Sequence, residues 1–144
     1  MSSPGTDPVA ASARPPAAVK ALSLFFAFGV LACGLAAVLL LVPGTAMDAL
    51  WRINPRGHEG FLRMGPWAIL LLVAVAAACA LAAAGLWRNT VRGHRVALAI
   101  LAVNLVGDCA NALGGDPRSP VGVPIALALI VFLWRRLRTA AARA

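Results

Sequence analysis

Charge is scarce in this chain. Only 12% of its 144 residues are Asp, Glu, Lys or Arg, against about 25% in a soluble domain that must present a polar face to water. Disorder is excluded as firmly, because 61% of the residues are hydrophobic and the mean hydropathy is +0.85, whereas disordered segments are apolar-poor. Tyr is absent, and the five Phe and four Trp are not interleaved with the 13 basic residues. The net charge of +8 therefore forms no stacking face for nucleic acid. Anionic lipid headgroups are the partner that this charge fits. Cysteine is sparse too: Cys33, Cys79 and Cys109 include no C-x-x-C pair, and an odd number leaves one unpaired. We read them as small packing residues.

What the chain has in excess is apolar sequence, gathered in four blocks at about 21–42, 65–87, 96–113 and 120–137. The first block has 22 residues without a charge, roughly 33 Å as a helix and enough to cross a bilayer core. The second opens on Pro66 and carries Trp67 and Trp87, 20 residues apart. That is roughly 30 Å along a helix, so the two rings mark the two interfaces. The last block spans only if Pro120 starts the helix and Arg135, Arg136 and Arg138 snorkel from its far end. Pro124 either bends its first turn or is its true start. The expected fold is all-α, a four-helix transmembrane bundle of residues 21–138. It lies between a Pro-rich disordered arm (1–20) and a basic tail (139–144).

The connections are distinctive. Between the first two blocks, Thr45 to Asp48 resembles a capping box, and Leu50, Trp51 and Ile53 give the helix that follows an apolar side for lying on the membrane. Asn54–Pro55 breaks that helix. Arg88, Arg92, His94 and Arg95 make a basic connection to the third block. Gly114 to Pro120 is a turn. Four spans put both termini on one side, together with Arg14, Lys20, Arg88, Arg92, Arg95, Arg135, Arg136, Arg138 and Arg143. Arg52, Arg56, Arg63 and Arg118 fall on the other. The positive-inside rule places the richer side, and both termini, in the cytoplasm. Arg88, Arg92, Arg95, Arg135, Arg136 and Arg138 are the expected headgroup contacts, and Trp51, Trp67, Trp87 and Trp134 the expected interface anchors. A competing reading is that Gly29 to Cys33 is a lipobox with Cys33 lipid-modified. Nine apolar residues follow Cys33 where a mature lipoprotein turns polar.

The candidate site is a polar stripe in the third block. Asn104, Asp108 and Asn111 stand at i, i+4 and i+7 and share one helix face. An ionisable residue inside a span is a functional candidate by default. The bland alternative is that the stripe holds a neighbouring helix by hydrogen bonds, or pairs with Arg118, Arg52, Arg56 or Arg63. Gly29, Cys33 and Ala37, and likewise Ala74, Ala78 and Ala82, give small-xxx-small faces for close helix approach. A hydrolytic site lacks parts. No Ser lies within the last three blocks, His58 and His94 are expected on opposite sides of the bilayer, and only Glu59 accompanies either as a possible metal ligand. The expectation is a protein without enzyme activity, metal or cofactor.

The stretches Asn104–Leu105–Val106–Gly107–Asp108, Gly114–Gly115–Asp116–Pro117–Arg118 and Val123–Pro124–Ile125 together resemble a family of small uncharacterised bacterial integral membrane proteins. The resemblance covers about residues 50–137 and implies four membrane helices and no particular activity. A looser similarity, in size and span count alone, is to the DoxX-like proteins. Small multidrug transporters carry their membrane carboxylate in the first helix, which has none here. The reading that follows is a multi-pass protein of the bacterial inner membrane with a structural or accessory role, partnered by another membrane protein or by its own copies. The alternative is a small oligomeric transporter or ligand-binding module centred on Asp108.

Overall fold

A computed structural model of the chain describes residues 15–44, 46–113 and 119–141. Among these the regular structure is entirely helical: α1 (Ala17–Leu41), a 3₁₀ helix (Ala46–Ile53), α2 (Pro55–Met64), α3 (Pro66–Trp87), α4 (Val91–Leu113) and α5 (Ser119–Ala141). Three of them, α1, α3 and α4, are long and apolar enough to cross a membrane. The helices form a row in which α1 packs on α3, α3 on α4 and α4 on α5. Neighbours run antiparallel: Ser23 meets Ala83, Gly85 meets Gly93, and Asp108 meets Gly122.

Helix boundaries depart from the apolar blocks where a cap outweighs hydropathy. α4 starts at Val91, five residues before the third block at 96, because Thr90 caps it. The Thr90 hydroxyl accepts a hydrogen bond from the Gly93 N–H at 3.1 Å, satisfying one of the free donors of the first turn. Arg92, His94 and Arg95 thus lie in the helix, and the connection shrinks to residues 88–90. Its reversal needs the left-handed Asn89, at φ 52°, a conformation Asn tolerates better than most residues. α1 begins at Ala17 without a side-chain cap, directly after Pro15 and Pro16, so Lys20 falls in its first turn and the expected arm of 1–20 ends earlier. The connection between α1 and α3 holds two short helices. Asn54 caps the second, its Oδ1 accepting from the Gly57 N–H at 3.0 Å, with Pro55 at the first position. Thr45 lies outside the described residues. Asp48 reaches back instead, accepting from the Gly44 N–H at 2.7 Å. Gly65, at φ 57°, is all that separates α2 from α3. Pro124 falls inside α5, whose start is Ser119.

The core sits at the end of the row marked by the 88–90 turn. Val19, Leu22 and Phe26 of α1 are buried there with Cys79, Ala82 and Leu86 of α3, Ala97 and Leu101 of α4, and Leu133 of α5. Lipid tails are as apolar as these side chains, so in a membrane their burial adds no hydrophobic drive between helices. Close packing and interhelical hydrogen bonds must hold the row together. Both are present at this end. Gly85 and Gly93 lie backbone to backbone, leaving no room for a side chain at either. The Ser23 hydroxyl donates to the Ala83 carbonyl at 2.7 Å. On α1 the small residue Gly29 faces Cys79, with the sulfur 3.3 Å from where a Gly29 Cβ would sit. The small-residue face expected on α3 is displaced. Ala74 is exposed, and the buried line runs instead through Ala68, Leu72, Cys79, Ala82 and Leu86.

Candidate functional site

On α4, Ala97, Leu101 and Asp108 follow one another at i, i+4 and i+11, so the carboxylate continues the helix's buried line beyond the point where the core ends. Asp108 is half-buried, and its carboxylate lies against Gly122 of α5, where even a methyl group would collide with it. Among the described residues Asp108 makes no hydrogen bond or ion pair. Arg118, one of its candidate partners, lies outside them.

The stripe does not act as one face. Asn104 and Asn111 sit at its margin and are exposed, among the exposed Val103, Val106 and Leu113. Only Asp108 points at a neighbouring helix. Gly122 is not legible as its neighbour, since nothing in the local pattern of α5 distinguishes that glycine. An interhelical pairing of carboxylate with glycine leaves no periodic trace.

The six candidate headgroup arginines are brought together. Arg88 follows α3, Arg92 and Arg95 lie in the first turns of α4, and Arg135, Arg136 and Arg138 lie near the end of antiparallel α5. Five are exposed, while Arg136 is half-buried with its guanidinium 5.3 Å from the centre of the Phe132 ring, within cation–π range. Trp67 and Trp87 stand exposed at opposite ends of α3, and Trp134 is exposed at the same end as Trp87. Trp51 is buried. Its ring stacks on His58 at 4.5 Å with 7° between planes, and Phe61 leans on it at 6.1 Å. The Asn54 cap sets the register of α2 that brings His58 over this ring. The Trp51 indole nitrogen is buried without a hydrogen-bond partner among the described residues.

His94 is buried at the start of α4. A carbonyl can only accept, so its Nδ1–H donates to the Thr90 oxygen at 2.8 Å. This histidine is therefore a structural part of the turn and lies at the opposite end of the row from His58. Of the cysteines, Cys79 is buried, Cys33 half-buried in the unbroken α1, and Cys109 exposed, so the packing role expected for all three does not extend to Cys109. Among the described residues no three His, Cys, Asp or Glu side chains gather as a metal would need. No family model matches the chain, and no curated protein or solved structure is detectably similar to it.

Proposed function

We propose that the chain is a four-span protein of the bacterial inner membrane, with both termini cytoplasmic and a non-catalytic accessory role. In this reading α5 is the fourth span, and the outer half of α4 is the surface that docks onto a partner membrane protein. The carrying observation is the exposure of Asn104 and Asn111, with Asp108 between them lacking a polar partner among the described residues, on a helix otherwise long and apolar enough to span. Lipid satisfies exposed Val103 and Val106 but offers nothing to a carboxamide or a carboxylate at depth. A partner helix with its own polar groups does. The resemblance to small bacterial integral membrane proteins and the nine-to-four division of basic residues support the placement.

The test is photo-crosslinking in native membranes from a reactive residue at Val106, with Leu24, an exposed position on α1, as the lipid-facing control. The expected result is a protein adduct of defined mass from position 106 and lipid adducts alone from position 24. Lipid adducts from both would overturn the docking role. An adduct of twice the chain mass would identify a second copy as the partner. A second reading, a ligand site at Asp108, is favoured by the half-buried carboxylate's lack of a partner among the described residues. It requires a homo-oligomer whose melting temperature rises with a ligand in a pH-dependent way.

A further inference from the structure

Among the described residues α5 touches only α4 to any extent, and a half-open groove of about 1050 Å³ runs along α5 from Pro124 to Thr139, bounded on its other side by the first turn of α4. Small-molecule sites measure roughly 300–1,000 Å³, so the space suits a long ligand. Its two ends differ in chemistry. From Pro124 to Phe132 the lining includes Leu127, Ala128 and Val131, all apolar. Arg135, Arg136 and Asn89 line the mouth. Eight helical residues separate Pro124 from Phe132, roughly 12 Å, close to one leaflet's share of a hydrocarbon core about 30 Å thick. The arginines lie one turn further on, level with the exposed Trp134, a residue type that favours the headgroup layer.

We propose that this groove is a specific site for one anionic phospholipid, its acyl chain lying along Leu127, Val131 and Phe132 and its phosphate held by Arg135 and Arg136. The charge pattern selects the occupant: two guanidiniums at the mouth and, among the described residues, no carboxylate in the lining. Arg136 rests on the Phe132 ring, which limits the rotamers it must give up when it pairs with a phosphate. His94, tied to the Thr90 carbonyl, supplies a fixed wall where the groove meets α4. This goes beyond diffuse attraction to a basic membrane surface, because the apolar trough and the paired arginines form one continuous site.

The inference rests on the membrane reading above but not on its orientation, so the test is made on the full chain in detergent, where orientation plays no part. Native mass spectrometry with added phosphatidylglycerol or phosphatidylcholine measures binding. We expect one tightly retained phosphatidylglycerol and no equivalent phosphatidylcholine. The double variant Arg135→Gln, Arg136→Gln should bind phosphatidylglycerol about tenfold more weakly, whereas Arg52→Gln, Arg63→Gln, which removes equal charge from exposed positions at the opposite end of the row, should not. Filling the trough with Ala128→Phe should weaken binding while leaving both arginines in place. Equal losses in the two arginine pairs would reduce the effect to general electrostatics and overturn the site. Undiminished binding in Ala128→Phe would overturn the acyl-chain trough. Orientation is read separately, by labelling single cysteines at the chain ends in intact cells. A reversed topology with intact lipid selectivity would refute the cytoplasmic assignment alone.

Discussion

The two ends of α4 are built differently. From Gly93 to Leu101 the helix is locked in place, backbone to backbone with α3 at Gly85 and buried at Ala97 and Leu101. From Val103 onward it is largely open, with nothing fully buried: Val103 is 71% exposed, Val106 70% and Leu113 91%. The α1–α3 pair shows no such change, with buried residues at both ends of each helix, from Val19 to Leu39 and from Ala68 to Leu86. Hydropathy does not explain the contrast, since all three helices are apolar enough to span. Residue size and polarity do. Where Gly and Ala let backbones meet, contacts multiply and hold in a solvent that gives no hydrophobic drive. Where the polar stripe enters, Asp108 alone meets α5, at Gly122, and Asn104 and Asn111 are exposed. One half of α4 is for folding, and the other is available for function.

The largest effect should come from breaking the packed end. Gly85→Leu drives a side chain into the Gly93 backbone, which cannot move aside without separating α3 from α4. We expect a loss of at least about 4 kcal/mol, beyond ordinary overpacking, seen as failure to recover folded monomer from detergent. Gly34→Leu is the control: nothing lies within 4 Å of its Cβ position, so stability should hold. Gly29→Leu should fall between them, costing about 1–3 kcal/mol, because only the Cys79 side chain opposes it. Should Gly85→Leu and Gly34→Leu melt alike, the packed end is not where the stability resides.

The next effect has the opposite sign. Asp108→Asn replaces a half-buried carboxylate that has no polar partner among the described residues with a neutral amide that costs less at membrane depth. In the isolated chain we expect a gain of about 1 kcal/mol, measured by thermal unfolding in nanodiscs. A loss of similar size would make Asp108 a structural tie between α4 and α5. It would also remove the main support for a site there.

Much of the helical architecture was legible in advance because its cause is local. Long uncharged runs dictate helices in an apolar solvent, and Trp67 with Trp87 bracket α3 as their spacing implies. The misjudged boundaries have local causes as well, but polar ones: a single Thr90 cap extends α4 back through two arginines and a histidine, against the hydropathy. Trp51 was legible as an amphipathic residue but not as a buried one, because its stacking partner His58 lies beyond a helix break. In the polar stripe, the shared face of Asn104, Asp108 and Asn111 follows from helical spacing. Its division into one inward and two outward side chains depends on how far α5 covers α4. That is a tertiary fact, and periodicity carries no record of it.

The smallest effects test whether the packed end is held by its backbone contacts or by its polar ones. Ser23→Ala removes the hydrogen bond to the Ala83 carbonyl. That oxygen keeps its place in the helical ladder of α3, where the N–H four residues on still donates to it, so no acceptor is orphaned. The expected cost is about 0.6 kcal/mol, the average for an interhelical hydrogen bond in a membrane. Val106→Ala, at the open end, should change the stability of the isolated chain by less than about 0.5 kcal/mol, because lipid fills the space. The two variants therefore differ little in the purified protein and should part company in native membranes. There, loss of the Val106 side chain should reduce capture of the docked partner, while Ser23→Ala leaves it intact. If Ser23→Ala instead costs several kcal/mol, the hydrogen bond rather than the Gly85–Gly93 contact is what distinguishes the packed half of the molecule from the open one.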